Sequence, residues 1–195
     1  MEYGNRSRRR KSHTPKPLDS RALKDLAMAY VARYATTSGK LRRYLQRKLR
    51  ECEWSGDGAP DIDSLVDRFV DQGYVDDAGW AQTRASGLSA RGYGRRKIGE
   101  TLRAAGIDDE TRAEYAPTEY QAREAAVTLA RRRRFGPFGE PFAGEDGHKR
   151  RDKQLAAMAR AGHDFTHARH VVESASEGDL AEWIAEAASE EETDR

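Results

Sequence analysis

Three clusters of basic side chains recur along the chain, and their chemistry is that of binding an anionic partner rather than catalysis. Arginine and lysine attract polyphosphates and acidic protein surfaces through their positive charge. If the helices that carry the clusters stack in register, their side chains form one basic stripe. Such a stripe can follow a polyphosphate backbone or the acidic surfaces that repeat along a filament. A merely solvated exterior is the alternative. The clusters are Arg42, Arg43, Arg47 and Arg50; Arg95, Arg96, Lys97 and Arg103; and Lys149, Arg150, Arg151 and Lys153.

Three histidines near the C-terminus, His163, His167 and His170, raise the question of a metal site. Gly162 and Asp164 place His163 at or before a helix start, so only two of the histidines share a helix. No cysteine or acidic cluster joins them at the spacing of zinc ligands. We therefore expect no metal.

The glycine-rich segment from Gly92 to Lys97 is neither a dinucleotide fingerprint nor a phosphate loop. No strand precedes it, and its glycine spacing is wrong for both. No nucleophile stands out beside a candidate base elsewhere in the sequence. We therefore expect a protein that is not an enzyme and has no cofactor.

The composition indicates an all-α protein with a thin core. Of 195 residues, 37% are hydrophobic and 35% are charged, and mean hydropathy is −0.94. The alternating pattern of β-strands is absent, which excludes a sheet protein. Cys52 is the single cysteine, so an internal disulfide is excluded. No apolar run reaches the roughly 20 residues of a membrane span, and we expect a soluble, cytoplasmic protein.

The net charge of +2 conceals an uneven distribution. Residues 1–19 carry six Lys or Arg against two acids, and residues 172–195 carry nine acids against Arg195. The segment between them is therefore basic, which favours a polyanionic partner or an acidic protein surface. The first 19 residues have almost no apolar side chains and are predicted to be a disordered arm. Its Arg8–Lys11 run suits nucleic-acid contact or an import signal, and a solubilising tail is equally compatible.

The spacing of apolar residues predicts three groups of three helices and one more at the end. The middle helix of each group is basic, and the third is acidic in the first two groups. Ser20, Ser38 and Asp77 are the predicted N-caps of the first, second and fourth helices. The predicted divisions are a basic arm (1–19), three-helix repeats (20–76, 77–117 and 118–176), and an acidic C-terminal helix with its tail (177–195).

The glycines that end the middle helices give the period of this pattern. Aligning Leu102 and Gly106 with Met158 and Gly162 gives 56 residues. Related units at such a period form stacked arrays, in which each unit buries little by itself. The last helix of the third unit is predicted to bury Phe165 along with its other apolar residues.

Two glycine–tyrosine segments carry a family resemblance. The first reads GYVDD, from Gly73 and Tyr74 to Asp76 and Asp77, and is followed by Trp80-Ala81. The second has Gly92, Tyr93 and Gly94 before Arg-Arg-Lys-Ile98, and then Leu102 and Gly106-Ile107. In order and spacing they resemble the RecX family of bacterial recombinase regulators, over roughly residues 23–175. We expect the glycines to end helices, both tyrosines to pack on the preceding helix, and Trp80 to lie in the core.

The resemblance implies an elongated, curved array of three three-helix repeats that binds RecA recombinase. Members of the family lie in the groove of the RecA filament on DNA, hinder its growth or promote its disassembly, and lower strand exchange and the SOS response. By resemblance we expect a monomer that contacts DNA within the filament. The third repeat departs from the pattern, because Gln154 stands where the second repeat has Ile98.

Two other functions fit the residues. Short helices with a basic second member also suit a helix-turn-helix protein that binds DNA directly. An inert helical scaffold is the third possibility, and the repeated charge pattern argues against it.

Overall fold

Helices form nearly all of the regular structure in residues 16–193, the part of the chain that this computed structural model describes. The predicted all-α class is confirmed, and the extra helix at the C-terminal end is present. A short 3-10 helix spans Gly136–Phe138. The α-helices are α1 (Ser20–Arg33), α2 (Ser38–Glu51), α3 (Ile62–Asp71), α4 (Asp77–Ser89), α5 (Arg95–Ala105), α6 (Asp109–Glu114), α7 (Glu119–Arg133), α8 (Gly144–Arg160), α9 (Phe165–Glu173) and α10 (Glu177–Thr193).

The buried apolar side chains form three clusters, and this grouping fits three stacked three-helix units. The first cluster lies within α1–α3 around Leu41 and Phe69. The second lies within α4–α6 and includes Ile98 and Leu102. The third is shared by α7, α8 and α9, and α10 adds Trp183 to it. The predicted C-terminal cap thus packs along α7 as part of the third core.

The predicted N-caps of three helices are each one residue too late. Asp19, not Ser20, accepts the backbone N–H of Ala22 at 2.7 Å. Thr37 caps α2 and Asp76 caps α4, in place of Ser38 and Asp77. A capping side chain belongs to the last non-helical residue and accepts the N–H three positions on. The residue after it already has helical geometry, and its side chain is free for other contacts.

The N-terminal boundary also differs from the prediction. Leu18 is buried in the first core, and its backbone forms an isolated parallel bridge with Trp54. The Leu18 N–H donates to Glu53 at 2.7 Å, and its carbonyl accepts from Ser55 at 2.8 Å. The predicted disordered arm of residues 1–19 is therefore too long at its C-terminal end. The Arg8–Lys11 run lies outside the described residues.

Gln154 and Phe165 explain how the third unit packs despite its poor apolar pattern. Gln154 is buried where the second unit has Ile98, and its Oε1 accepts the backbone N–H of Gly136 at 2.9 Å. A buried amide is tolerated because it satisfies an N–H of the 3-10 helix. Phe165 was predicted to be buried, but it is 66% exposed. Phe165 is the first residue of α9, and the buried face of that helix begins only at His167 and Ala168.

Candidate partner-binding surface

The start of α2 meets the end of α5 at what we call the first seam, defined by Thr37–Gly39 and Ala105–Gly106. The Thr37 hydroxyl is buried and donates to the Ala105 carbonyl at 2.6 Å. A Cβ atom on Gly39 would lie 2.7 Å from the Gly106 Cα, which is closer than packed atoms come. The two backbones are therefore in direct contact, and only glycine fits at position 39.

Ser38 and Asp77 add a charged contact to the first seam. The Asp77 carboxylate accepts the Ser38 backbone N–H at 2.8 Å and the Ser38 hydroxyl at 2.5 Å. Asp77 thus binds the first turn of α2, in another unit, instead of capping its own helix. A carboxylate at a helix N-terminus is also favoured by the helix dipole.

The start of α5 meets the end of α8 at the second seam, defined by Gly94–Arg96 and Ala161–His163. The Gly94 N–H donates to the Ala161 carbonyl at 3.0 Å, and the Arg96 N–H donates to the Gly162 carbonyl at 3.1 Å. These are N–H groups that a helix leaves without intrahelical partners. The second seam therefore satisfies the first turn of α5 with the last carbonyls of α8.

Both seams join the same kinds of helix end. At the first seam, the N-terminal end of α2 contacts the C-terminal end of α5. At the second seam, the N-terminal end of α5 contacts the C-terminal end of α8. The positive end of each helix dipole meets a negative end, which is a favourable arrangement. The three basic middle helices therefore follow one another in space, in the reverse of their order in the sequence.

Several of the predicted contact residues are paired within their own unit. Arg42 pairs with Asp63 of α3 at 2.7 Å. Arg151 correspondingly donates through Nε to Glu173 of α9 at 2.9 Å. These exposed pairs are weak and can exchange for contacts with a partner. Further carboxylate partners are Glu51 for Arg47, Glu100 for Lys97, Glu145 for Lys149 and Glu140 for Arg150.

Three more of the predicted contact residues, Arg43, Arg95 and Arg96, hold neighbouring helices together. Each guanidinium donates to a backbone carbonyl outside its own helix, which fixes its side chain in place. Their replacement would disturb the stacking as well as the surface charge. The acceptors are the carbonyl oxygens of Ala104 at 2.8 Å, Pro117 at 2.8 Å and Ala159, respectively.

Arg50, Arg103 and Lys153 have a different environment. Their side chains are exposed, one on each middle helix, and none of these side chains forms a hydrogen bond or ion pair with a residue of the described range 16–193. An unpaired exposed cation contacts an anionic partner without first breaking an internal bond. These three side chains are therefore the best probes of whether the stripe binds a partner.

Glycines of the two family segments end helices in the left-handed conformation. Gly73, Gly92 and Gly106 have φ values of 73°, 82° and 87°. Side chains with a Cβ rarely adopt this geometry, which explains the residue type. Gly94, with an extended backbone, is required instead by the close approach at the second seam.

The apolar residues of the same segments divide between core and surface. Ile98 and Leu102 are buried in the second core, and Trp80 and Tyr93 pack against it while only partly buried. Tyr74 lies against Phe69 of the preceding helix, with ring centroids 5.5 Å apart, yet it remains 49% exposed.

Tyr74 opens onto a groove of about 960 Å³ between the first and second units. Tyr34, which is 52% exposed, and Trp80 also line this aromatic groove. The Lys40 ammonium lies 3.8 Å from the centre of the Trp80 ring. Burial, together with repulsion from Arg84 and Arg43, lowers the pKa of Lys40. The groove thus combines half-exposed aromatic rings with basic side chains and one carboxylate, that of Asp76.

The three histidines lie in separate environments instead of converging on one point. His163 is buried at the second seam, with Nε2 3.0 Å from the Gly92 carbonyl oxygen, and burial lowers its pKa. His167 lies between Glu119 and Asp164, and His170 stacks on Trp183. Across residues 16–193, no group of three His, Cys, Asp or Glu side chains is arranged to hold a metal ion.

Glu119 links three helices beside the second seam, and the sequence pattern did not reveal it. Its carboxylate lies 3.3 Å from Arg95, 3.0 Å from Arg123 and 2.8 Å from His167. Burial by itself would raise the pKa of Glu119, but the bonds from Arg123 and His167 outweigh it and the pKa is lowered. The four side chains come from α5, α7 and α9, so no local spacing could have identified the set.

The chain is an all-helical protein whose basic middle helices meet end to end, and within residues 16–193 no helix is long and apolar enough to cross a membrane. No protein-family model matches the sequence. Regulatory protein RecX of Myxococcus xanthus is 34% identical to it over 169 residues, which cover 82% of this chain and 89% of that protein. Regulatory protein RecX of Chromohalobacter salexigens is 34% identical over 124 residues, covering 63% and 76%.

The fold also has a solved counterpart. The crystal structure of RecX from Lactobacillus salivarius superimposes with a TM-score of 0.57 at 16% identity, over 77% of this chain and 92% of that one. At this identity the match shows the fold alone. The 34% identity over most of the Myxococcus protein shows the family, and the shared fold agrees with it. This chain belongs to the RecX family.

Proposed function

We propose that this chain is a non-catalytic regulator that binds RecA recombinase filaments and inhibits their growth and activity. In this role it modulates recombination, DNA repair and the SOS response in the cytoplasm, and it acts as a monomer. Membership of a family whose relatives are named regulatory proteins supports a regulatory role. The partner follows from the family resemblance of the two glycine–tyrosine segments.

The end-to-end contact of α2, α5 and α8 is the observation that carries the proposal. It brings three basic helices into one series, with an unpaired cation on each at Arg50, Arg103 and Lys153. A filament repeats its surface along its axis, so a series of similar units can contact successive subunits with similar groups. The stripe remains a proposal, and its unpaired members provide the test.

The seams count against the helix-turn-helix alternative. A recognition helix reads DNA with the residues at its N-terminal end, which must reach the major groove. The N-terminal ends of α2 and α5 are covered by the second and third units. The N-terminal end of α8 carries Glu145 and Asp146, which would repel phosphates. Insertion of a basic helix end into the groove is therefore disfavoured.

ATP hydrolysis by preformed RecA filaments tests the function. Adding the protein should lower the rate, and an unchanged rate would refute the proposal. A variant with Arg50→Glu, Arg103→Glu and Lys153→Glu should lose this inhibition and keep its helicity by circular dichroism.

A matched control replaces three exposed cations of the first unit, Arg21, Lys24 and Arg68, with Glu. It changes the net charge equally and should still inhibit. Equal inhibition by both variants would eliminate the stripe as the contact surface, whereas the function itself would stand.

A further inference from the structure

Four arginines converge at the second seam without a carboxylate between them. Arg91, Arg132, Arg133 and Arg160 line a cavity of about 240 Å³, which we call the arginine pocket. The rest of its lining is aromatic or aliphatic and includes Tyr93. Arg91 belongs to the second unit and the other three to the third, so the pocket lies across the seam.

No arginine of this pocket forms an ion pair with a carboxylate in residues 16–193. Arg91 donates to the Gly87 carbonyl at 2.9 Å, and Arg132 donates to the Arg91 carbonyl at 2.8 Å. The guanidinium groups of Arg133 and Arg160 make no hydrogen bond with any described side chain or carbonyl. The pocket therefore holds four positive charges that repel one another, whereas most residues of the stripe have a carboxylate partner.

Helix capping does not account for Arg133 and Arg160. The helices that end around the pocket are α4, α7 and α8, and a C-terminal helix end attracts cations. Yet the N–H groups of Tyr93, Phe135 and His163 already donate to the carbonyls five residues earlier, at 3.1, 2.9 and 3.2 Å. Each end is thus closed by its own backbone turn, which frees Arg133 and Arg160 for a ligand.

We propose that the arginine pocket binds phosphate groups of single-stranded DNA. Guanidinium groups donate paired hydrogen bonds to phosphate oxygens, and a phosphate would neutralise the mutual repulsion of the four charges. Since the ligand touches two units, its binding also holds the second seam closed. The site does not depend on the proposed inhibition of a filament.

The aromatic groove indicates that the ligand of the arginine pocket is a single strand of nucleic acid rather than free phosphate. Arg91 lines both the arginine pocket and the groove that contains Tyr34, Tyr74 and Arg84. Half-exposed rings beside basic groups are the features with which proteins hold unpaired bases and their backbone. A strand whose phosphates occupy the arginine pocket can therefore place neighbouring bases along the groove.

Fluorescence anisotropy with a labelled single-stranded oligonucleotide, measured over a range of salt concentrations, tests the site. The Arg133→Glu/Arg160→Glu variant should lower the slope of log affinity against log salt by about 1.4, roughly 0.7 for each lost phosphate contact on a single strand. The Arg21→Glu/Arg68→Glu variant carries the same charge change away from the pocket and should keep the slope. Equal losses in both variants, or an unchanged slope in the first, would overturn the proposal.

Two further arms complete the test. If the charge reversal unfolds the protein by circular dichroism, Arg133→Gln/Arg160→Gln should give the same fall in slope with the fold retained. Inorganic triphosphate should displace the oligonucleotide poorly at equal phosphate concentration. Displacement as efficient as that by unlabelled oligonucleotide would show a site for free phosphates and refute the assignment to DNA.

Discussion

Gly94 and Gly162 are in direct backbone contact across the second seam. A Cβ atom on Gly94 would lie 2.4 Å from the carbonyl carbon and oxygen of Gly162. The same relationship recurs at the first seam between Gly39 and Gly106. Pairs of glycines, one at the start of a middle helix and one at the end of the next, therefore let the units stack at backbone distance.

Replacing Gly94 with Ala should destabilise the protein by about 1–3 kcal/mol, because the added methyl group forces the two backbones apart. Gly99 lies in the same helix, and a Cβ there would meet no atom within 4 Å. Gly99→Ala should therefore raise the free energy of unfolding by about 0.5–1 kcal/mol. Urea unfolding of both variants measures the contrast. Equal effects of the two substitutions would show that the second seam is not tightly packed.

Ser38 and Asp77 should be energetically coupled although they lie 39 positions apart. Asp77→Ala removes two hydrogen bonds to a charged acceptor, and we expect a loss of about 1.5–3 kcal/mol. A double-mutant cycle with Ser38→Ala should show a coupling energy well above error. Asp76→Ala is the control, since it removes an N-cap worth about 1 kcal/mol that does not involve Ser38. Additive effects of Ser38→Ala and Asp77→Ala would contradict the bond from the Ser38 hydroxyl, since the alanine keeps the backbone N–H.

Arg134 is a candidate for stabilisation, because it is the single non-glycine residue with positive φ among the described residues. Its φ of 56° and ψ of 50° are left-handed, a conformation that costs an ordinary residue about 1 kcal/mol. Arg134→Gly should raise the unfolding free energy by about that amount. Arg133→Gly, one residue earlier in helical geometry, should lower it. A less stable Arg134→Gly protein would refute this prediction.

Acid should weaken the second seam through His163. Burial lowers the pKa of His163 in the folded protein, whereas the pKa of a histidine in the unfolded chain is about 6.5. Between these two pKa values the unfolded chain binds more protons, so stability falls as pH drops below about 6.5 and is constant above it. The same direction holds for His170, whose pKa burial also lowers.

Urea unfolding across this pH range measures the effect. Stability should change by at most about 1.4 kcal/mol per pH unit for one group. His163→Gln should reduce the dependence, and His148→Gln, at an exposed position, should leave it intact. An undiminished slope in the His163 variant would rule out its titration as the cause.

Much of the secondary structure could be predicted from local pattern. The apolar spacing of Leu41 and Leu45, or of Ile98 and Leu102, is enough to predict a helix and its buried face, because both depend on neighbours within one turn. Cap positions were missed by one residue, since Ser38 and Asp77 are as suitable chemically as the caps beside them. Ser38 and Asp77 bond to each other because the tertiary structure brings them together, and local sequence does not reveal this.

The sequence by itself determined an all-α chain of glycine-ended helices, with a basic middle helix in each group. Tertiary structure decided which of the basic side chains are free to contact a partner and which are bonded within the protein. Arg95 and Arg96 are adjacent to Lys97 in sequence, yet their guanidinium groups are held by the carbonyls of Pro117 and Ala159. Arg91 and Arg160 are 69 positions apart and share a pocket. Helix formation is governed by interactions between near neighbours, whereas pairing of charges depends on where distant helix ends meet.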